Sequence, residues 1–242
     1  MEEYTNRSYR KRVRSTGLVT FEVAVKETDL QVSAEKRLDK ETRDLIFEAR
    51  HQIESYISTH PDFLTTLKPY PSDPYAPPLV REMIESTKQV GVGPMASVAG
   101  AVAQHVGKGL LGMTSQVIVE NGGDLFLKVN RPATVALFAA RSPLSEKVGI
   151  VLSPAHMPLG VCSSSGTVGH SYSTGIADAA CVLASSAAFA DGAATALCNT
   201  IQSQKDLSRI GTWAEKTRGV LGALVVLGAK MASWGSIELV AL

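Results

Sequence analysis

The stretch Phe189–Leu197, FADGAATAL, carries the sharpest chemical pattern in the chain. Asp191 and Thr195 are four apart, so on a helix the carboxylate and the hydroxyl share one face. Ala193, Ala194 and Ala196 leave that face open. Oxygen donors of this kind suit a hard cation such as Mg²⁺, which usually keeps water or phosphate oxygens as well. The same spacing also suits a plain helix start, with Asp191 as N-cap and Thr195 packed or bonded back to a carbonyl. A second pattern is Ser163-Ser164-Ser165-Gly166, with His170 following. Such a loop offers backbone N–H groups and hydroxyls to phosphate oxygens, and a nearby imidazole can take or give a proton. A flexible polar loop would have the same composition. A serine nucleophile is the weaker idea, because no GxSxG elbow is present. The third pattern is Asn121-Gly122-Gly123-Asp124, which a type I′ hairpin turn explains fully, although bare glycine backbone also lets a ligand lie close. Gly91-Val92-Gly93-Pro94 opens a helix whose N-terminus could attract an anion. It is neither a Walker A motif nor a GxGxxG. His105 is expected to be a satisfied core histidine.

Several elements must position these residues. Thr16–Lys26 alternates polar and apolar side chains and predicts a half-buried strand, with LQVSAEKRL as its hairpin partner. Lys40–Thr59 has helical spacing of Leu45, Ile46, Ala49, Ile53, Tyr56 and Ile57, with Asp39 as N-cap, and His60-Pro61 ends it. A connector with six prolines, residues 61–78, follows as a rigid surface crossing or a site wall. A short helix is expected over Leu79–Gln89, then an Ala/Gly-rich helix whose small residues permit close packing or close ligand approach. Gln116–Glu120 and Leu125–Val129 flank the double-Gly turn as a hairpin. Further strands are expected at Thr134–Ala139, Val148–Leu152, Ala179–Ala184, Ala223–Leu227 and Ile237–Leu242. Gly160–Gly175 reads as a Gly/Ser loop and Ala187–Thr200 as an Ala-rich helix. Clustered strands separated by helices, without strict βαβ alternation, point to α+β.

Composition narrows the function classes. The 242 residues are 45% hydrophobic and 19% charged, which excludes wholesale disorder. A formal net charge of +1 argues against a protein built to wrap nucleic acid. Cys162, Cys181 and Cys198 form no CxxC pair, as expected of buried small hydrophobes in a reducing compartment. The polar start lacks an apolar signal core, and runs such as Gly219–Ala229 are far short of the ~18 residues of a membrane span. A cytoplasmic protein is therefore expected. The basic cluster Arg7, Arg10, Lys11, Arg12 and Arg14 reads as a solvated arm or edge strand.

Taken in order, these motifs resemble the ApbE superfamily, the FAD:protein FMN transferases. The counterparts are the small-residue helix at Gly93–Gly107, ENGGDLFL at Glu120–Leu127, Ser165-Gly166, His170 and ADGAATAL at Ala190–Leu197. The match spans roughly residues 90 to 200, and the whole chain resembles a short prokaryotic branch of that superfamily. The resemblance implies an ApbE-like α+β fold over residues 1–242, with mixed or antiparallel sheets and helices around a central cleft. It implies FAD or FMN bound there, with Mg²⁺ on the diphosphate held by Asp191 and Thr195. Asn121, Gly122, Gly123, Asp124, Ser165 and Gly166 would line the cofactor site, and His170 would be the base. In the transferases a threonine of a target protein attacks the FAD diphosphate and AMP leaves. The family's Asp-Pro after the histidine is replaced here by Ser171-Tyr172-Ser173-Thr174-Gly175, and Met95-Ala96-Ser97 stands where the family has a lysine. These departures bear on FAD specificity and transfer more than on the fold. Two expectations follow: a Mg²⁺-dependent flavin transferase or diphosphate hydrolase, or a non-catalytic flavin-binding or assembly protein for another metabolic enzyme. A third is a vestigial cleft in a homo-oligomer.

Overall fold

A computed structural model describes residues 13–14, 17–167 and 173–242. Two sheets stack with one layer of helices. The larger has eight strands: β2 (Val19–Val25), β3 (Thr28–Ala34), β4 (Val117–Asn121), β5 (Asp124–Lys128), β8 (Leu159–Ser164), β9 (Ala179–Ala184), β10 (Val220–Leu227) and β11 (Lys230–Gly235). Their order is β11-β10-β9-β8-β5-β4-β3-β2. The smaller sheet, in the order β1-β6-β7-β12, consists of β1 (Val13–Arg14), β6 (Ala133–Ala136), β7 (Val148–Leu152) and β12 (Glu238–Ala241). Every pairing among the described residues is antiparallel. Strands β6 and β7 are spliced between β5 and β8, which are themselves neighbours in the large sheet. The fold is thus α+β.

The β9 sequence AACVLA shows why this sheet needs cover on both sides. All six of its residues are buried. Ala180, Val182 and Ala184 join the core under the helices, while Ala179, Cys181 and Leu183 join the core under the small sheet. Opposite faces at period two give two apolar cores from one unbroken apolar run. At the sheet edge the pattern alternates instead: Phe21, Val23 and Val25 of β2 are buried, and their neighbours are exposed. Val19, grouped with them by the sequence pattern, is 43% exposed because it starts the edge strand.

Among the described residues the helices are α1 (Asp39–Thr59), α2 (Asp62–Thr65), α3 (Pro78–Lys88), α4 (Val98–Leu110), α5 (Ala187–Thr200) and α6 (Ile210–Lys216). Asp39 is the first residue of α1 and not its cap; Leu38 takes the cap position, and Asp39 is engaged by Arg37. The proline-rich connector is more ordered than its composition suggests. Tyr56 stacks on His60, meets Phe63 and Tyr70 edge-on, and donates its hydroxyl to Asp73 Oδ2 at 2.9 Å. Beyond it, a 3₁₀ turn at Pro94–Ser97 leads directly into α4. A Cβ on Gly93 would lie 2.0 Å from the Thr66 carbonyl oxygen, so the connector presses on the entry to α4.

Several boundaries differ from the sequence pattern. Leu159–Ser164 is a strand, so the Gly/Ser loop starts at Ser165 and not at Gly160. Strand β6 stops at Ala136. Strand β10 begins at Val220, where a register shift against β9 accommodates the extra residue. Helix α6 and strand β11, a short segment and a mixed-polarity edge, carried no strong period. Of the basic cluster, residues 7–12 lie outside the described residues.

Candidate functional site

Helix α5 is capped by Ser186, whose Oγ accepts the Phe189 N–H at 3.2 Å. Asp191 is therefore inside the helix and free of the capping role its sequence position allowed. Its side chain reaches the start of α4, where Oδ2 accepts the Gly100 N–H at 2.9 Å. Gly100 belongs to the first turn of α4, and the carboxylate satisfies its N–H donor at the positive end of that helix. The approach requires glycine: a Cβ on Gly100 would lie 2.3 Å from the Ala187 carbonyl oxygen and 2.8 Å from Asp191 Cβ.

The double-Gly turn is a two-residue hairpin with Gly122 at φ 64° and Gly123 at φ 104°. Both central residues have the positive φ that a type I′ turn requires. The turn is also latched to the same helix start, because Asn121 Nδ2 donates to the Ala99 carbonyl at 3.1 Å. Glu120 Oε1 accepts the Gly123 N–H at 2.6 Å and holds the turn closed. On the far side of the turn, Asp124 Oδ1 accepts the Ser163 N–H of β8 at 3.0 Å.

Asp124 and Asp191 are both buried, and neither has an ion-pair partner among the described residues. Burial pushes the Asp191 carboxyl up to about 7, against the downward pull of the Gly100 and Ala99 amides. Asp124 is raised well above the ordinary carboxylate range by burial first and by the Asp191 charge second. Both shifts follow from desolvating a charge without a compensating cation. Thr195, also buried, lies one turn further along α5. The Thr87 hydroxyl bonds back to the Met83 carbonyl at 2.8 Å, whereas the Thr195 hydroxyl makes no such bond among the described residues.

The structure thus brings Asn121, Gly122, Gly123, Asp124, Asp191 and Thr195 to one corner, between the hairpin end of β4–β5 and the α4–α5 contact. Ser165 and Gly166 follow β8 two and three residues past the amide that holds Asp124. Ser165 Oγ accepts the Thr167 N–H at 3.1 Å, and the Gly166 N–H donates to the Ala177 carbonyl at 2.9 Å, which closes the base of the loop. His170 lies outside the described residues. Sequence reasoning missed the contribution of Ser163, Glu120 and the Ala99–Gly100 peptide, since their roles depend on backbone groups that side-chain identity does not advertise. Cys162 is buried, as expected from the sequence, and its thiol donates to the Ala187 carbonyl at 3.4 Å. His105 is partly exposed, with Nε2 3.7 Å from Glu48 Oε1.

A separate cavity of about 500 Å³ is lined by Leu152, Leu159, Leu183, Leu221 and Ile237, with His156 and Glu238 among its polar groups. It lies on the small-sheet side, away from Asp191. Among the described residues no group of three or more His, Cys, Asp or Glu is arranged to hold a metal. A cation in the Asp191 corner would therefore draw on hydroxyl and carbonyl oxygen as well. No helix among the described residues is long and apolar enough to cross a membrane.

This arrangement of sheets and helices is that of the ApbE proteins. The structure is similar over 90% of its length to 97% of a flavin transferase ApbE from Vibrio cholerae, with a TM-score of 0.61 and 14% identity. It is likewise similar to the apo flavinyl transferase ApbE of Pseudomonas stutzeri, at TM-score 0.59 and 14% identity, covering 92% of this chain and 94% of that one. The chain belongs to the family described as AbpE bacteria, whose sequence model matches residues 10–229. Relatives at greater sequence similarity are archaeal. A UPF0280 protein of Methanosphaerula palustris is 39% identical over 217 residues, covering 88% of this chain and 89% of the relative. A UPF0280 protein of Methanocaldococcus jannaschii is 38% identical over 221 residues, covering 89% and 90%.

Proposed function

We propose that this chain binds a flavin nucleotide or related nucleotide diphosphate together with Mg²⁺ at the Asp191 corner. The observation that supports this reading is the pair of buried carboxylates, Asp191 and Asp124, without a basic partner among the described residues. Such a pair is costly unless protons or a cation compensate it. The donors available, a carboxylate, the Thr195 hydroxyl and the carbonyl of the Ala99 region, are all hard oxygens and fit Mg²⁺ in place of a softer metal. Mg²⁺ would supply charge neutralisation to the diphosphate oxygens. Asp191 and Thr195 would hold it, the Asn121–Ala99 bond would keep the turn against α4, and Gly122 and Gly123 would leave room for the nucleotide. Ser165 and Gly166 would contribute loop contacts.

The fold neighbours are described as flavin transferases. For the corresponding reaction here, a hydroxyl oxygen bonds to the FMN phosphorus, the bond from that phosphorus to the AMP oxygen breaks, and AMP leaves. The hydroxyl proton passes to His170. With water as the attacking group, the same site would be a diphosphate hydrolase. Incubation of the purified protein with FAD and Mg²⁺ is expected to release AMP, with FMN either free or attached to a protein threonine. Chromatography and mass spectrometry follow these products, and intact FAD after prolonged incubation would contradict catalysis.

A second reading, a flavin-binding or assembly protein without transfer, is favoured by two sequence departures. Ser171–Gly175 lacks the Asp-Pro of the transferases, and Met95-Ala96-Ser97 forms most of the 3₁₀ turn where they have a lysine. Tight FAD binding with no AMP release would select it.

A further inference from the structure

We infer that Gln104, to which the sequence patterns assign no role, is a positioning residue that sets Asp191 in register with the start of α4. Gln104 is fully buried. Its Oε1 accepts the N–H of Ala187, the first residue of α5, at 2.7 Å, and its Nε2 donates to Glu82 Oε1 on α3. The inference rests on the proposed role of Asp191 in binding, but the geometry stands without it.

Two cross-helix bonds form an antiparallel ladder. The Gly100 N–H goes from α4 to Asp191 on α5, and the Ala187 N–H goes from α5 to Gln104 on α4. Gly100 and Gln104 are four apart, as are Ala187 and Asp191, so the rungs are about one helical turn apart, roughly 6 Å of rise. Gly100 allows the approach, since a Cβ on it would lie 2.3 Å from the Ala187 carbonyl oxygen, and Gly160 of β8 lets Ala187 sit equally close to the sheet. Fixing the Ala187 rung therefore fixes the Asp191 rung.

Glutamine also has the required polarity. The partner on one side is a backbone N–H, which can only donate; on the other it is a carboxylate, which when ionised can only accept. A neutral amide satisfies both in one orientation. Glutamate at 104 would set two carboxylates against each other, and leucine would leave the Ala187 amide and Glu82 without this partner. Exchanging the two groups, by Glu82→Gln with Gln104→Glu, restores an N–H donor facing an acceptor and keeps an acceptor for Ala187.

The experiment uses Gln104→Glu, Gln104→Leu and the exchanged double variant, all at a temperature well below their melting points. Amide hydrogen exchange at Gly100 is read against the sheet amides of Val32 and Val119, and ADP is titrated with and without Mg²⁺. Both single variants are expected to raise Gly100 exchange relative to the sheet and to weaken Mg²⁺-dependent ADP binding, each by about tenfold or more, and the double variant to recover most of both. Unchanged Gly100 protection in a folded Gln104→Leu variant would overturn the inference. Equal loosening of Gly100, Val32 and Val119 would overturn it too, because that is general destabilisation. If the wild-type protein binds no ADP with Mg²⁺, the binding proposal loses this support, and the Gly100 exchange still decides the role of Gln104.

Discussion

Asp191 combines the two properties that matter at residue scale: it is buried, and among the described residues it accepts hydrogen bonds from backbone amides at a helix start. Because its folded pKa is raised to about 7 from 3.8, the folded state holds a proton that the unfolded chain releases earlier. The stability linked to this proton is complete below about pH 4 and is lost as pH rises through about 7. Half-buried carboxylates with lowered pKa, such as Asp206 and Asp39, contribute the opposite slope, so the clean readout is a difference between variants. Without Mg²⁺, wild-type stability minus that of Asp191→Asn is expected to fall between about pH 4 and 7, followed by melting temperature. A flat difference would mean that the carboxylate is compensated by some other group. Added Mg²⁺ is expected to reduce the loss at pH 7, since a ligand that favours the ionised form offsets it. Thr195→Val tests the second donor: a weakening of Mg²⁺-dependent nucleotide binding by about tenfold is expected, with unfolding free energy within about 1 kcal/mol of wild type by urea titration.

At the scale of elements, the site is a crossing of α4 and α5 with the β4–β5 turn latched on top. Small residues make the crossing close, and Gly100 is its most constrained point. Gly100→Ala is expected to push α5 off α4, to abolish Mg²⁺-dependent binding and to cost about 1–3 kcal/mol, because the added methyl meets backbone and not a flexible side-chain end. Urea unfolding and nucleotide titration check the two effects, and wild-type affinity in this variant would rule out the close crossing. Much of this was legible in the sequence. The run Ala187–Thr200 and the Asn121–Asp124 turn were readable because apolar spacing and paired glycines act locally. The Gly/Ser loop was misjudged at its start, since Leu159–Ser164 pairs on both edges and tertiary hydrogen bonding overrides the turn-forming tendency of serine. The link from Asp124 to Ser163 and the ladder through Gln104 were illegible, because partners distant along the chain leave no periodic trace.

Across the whole molecule, the central sheet is a platform with a core on each side, and the site sits where its middle strands meet the helix layer. Phe126 shows how strongly this arrangement depends on packing: it is fully buried, and a Cβ on Gly107 of α4 would come within 2.1 Å of its ring. Phe126→Ala is expected to lower unfolding free energy by about 3–5 kcal/mol, measured by denaturant titration, through lost burial and the cavity left under α4. A cost below about 1 kcal/mol would show that α4 collapses onto the sheet. The α+β class followed from the clustering of strands between helices. The stacking in three layers could not be read from periodicity alone, because an unbroken apolar run such as β9 does not say what covers each face. The small sheet depends on β12 returning to β7 from far along the chain, which no local pattern encodes.

The most direct test of the binding claim is calorimetric titration of FAD, FMN and ADP into the purified protein, with Mg²⁺ and with EDTA, beside Asp191→Asn shown to be folded by its melting curve. Binding of at least one of these nucleotides that requires Mg²⁺ and is lost in the variant is the predicted result. Absence of binding by all three, or binding indifferent to both EDTA and Asp191→Asn, would contradict a cation-dependent nucleotide site at this corner.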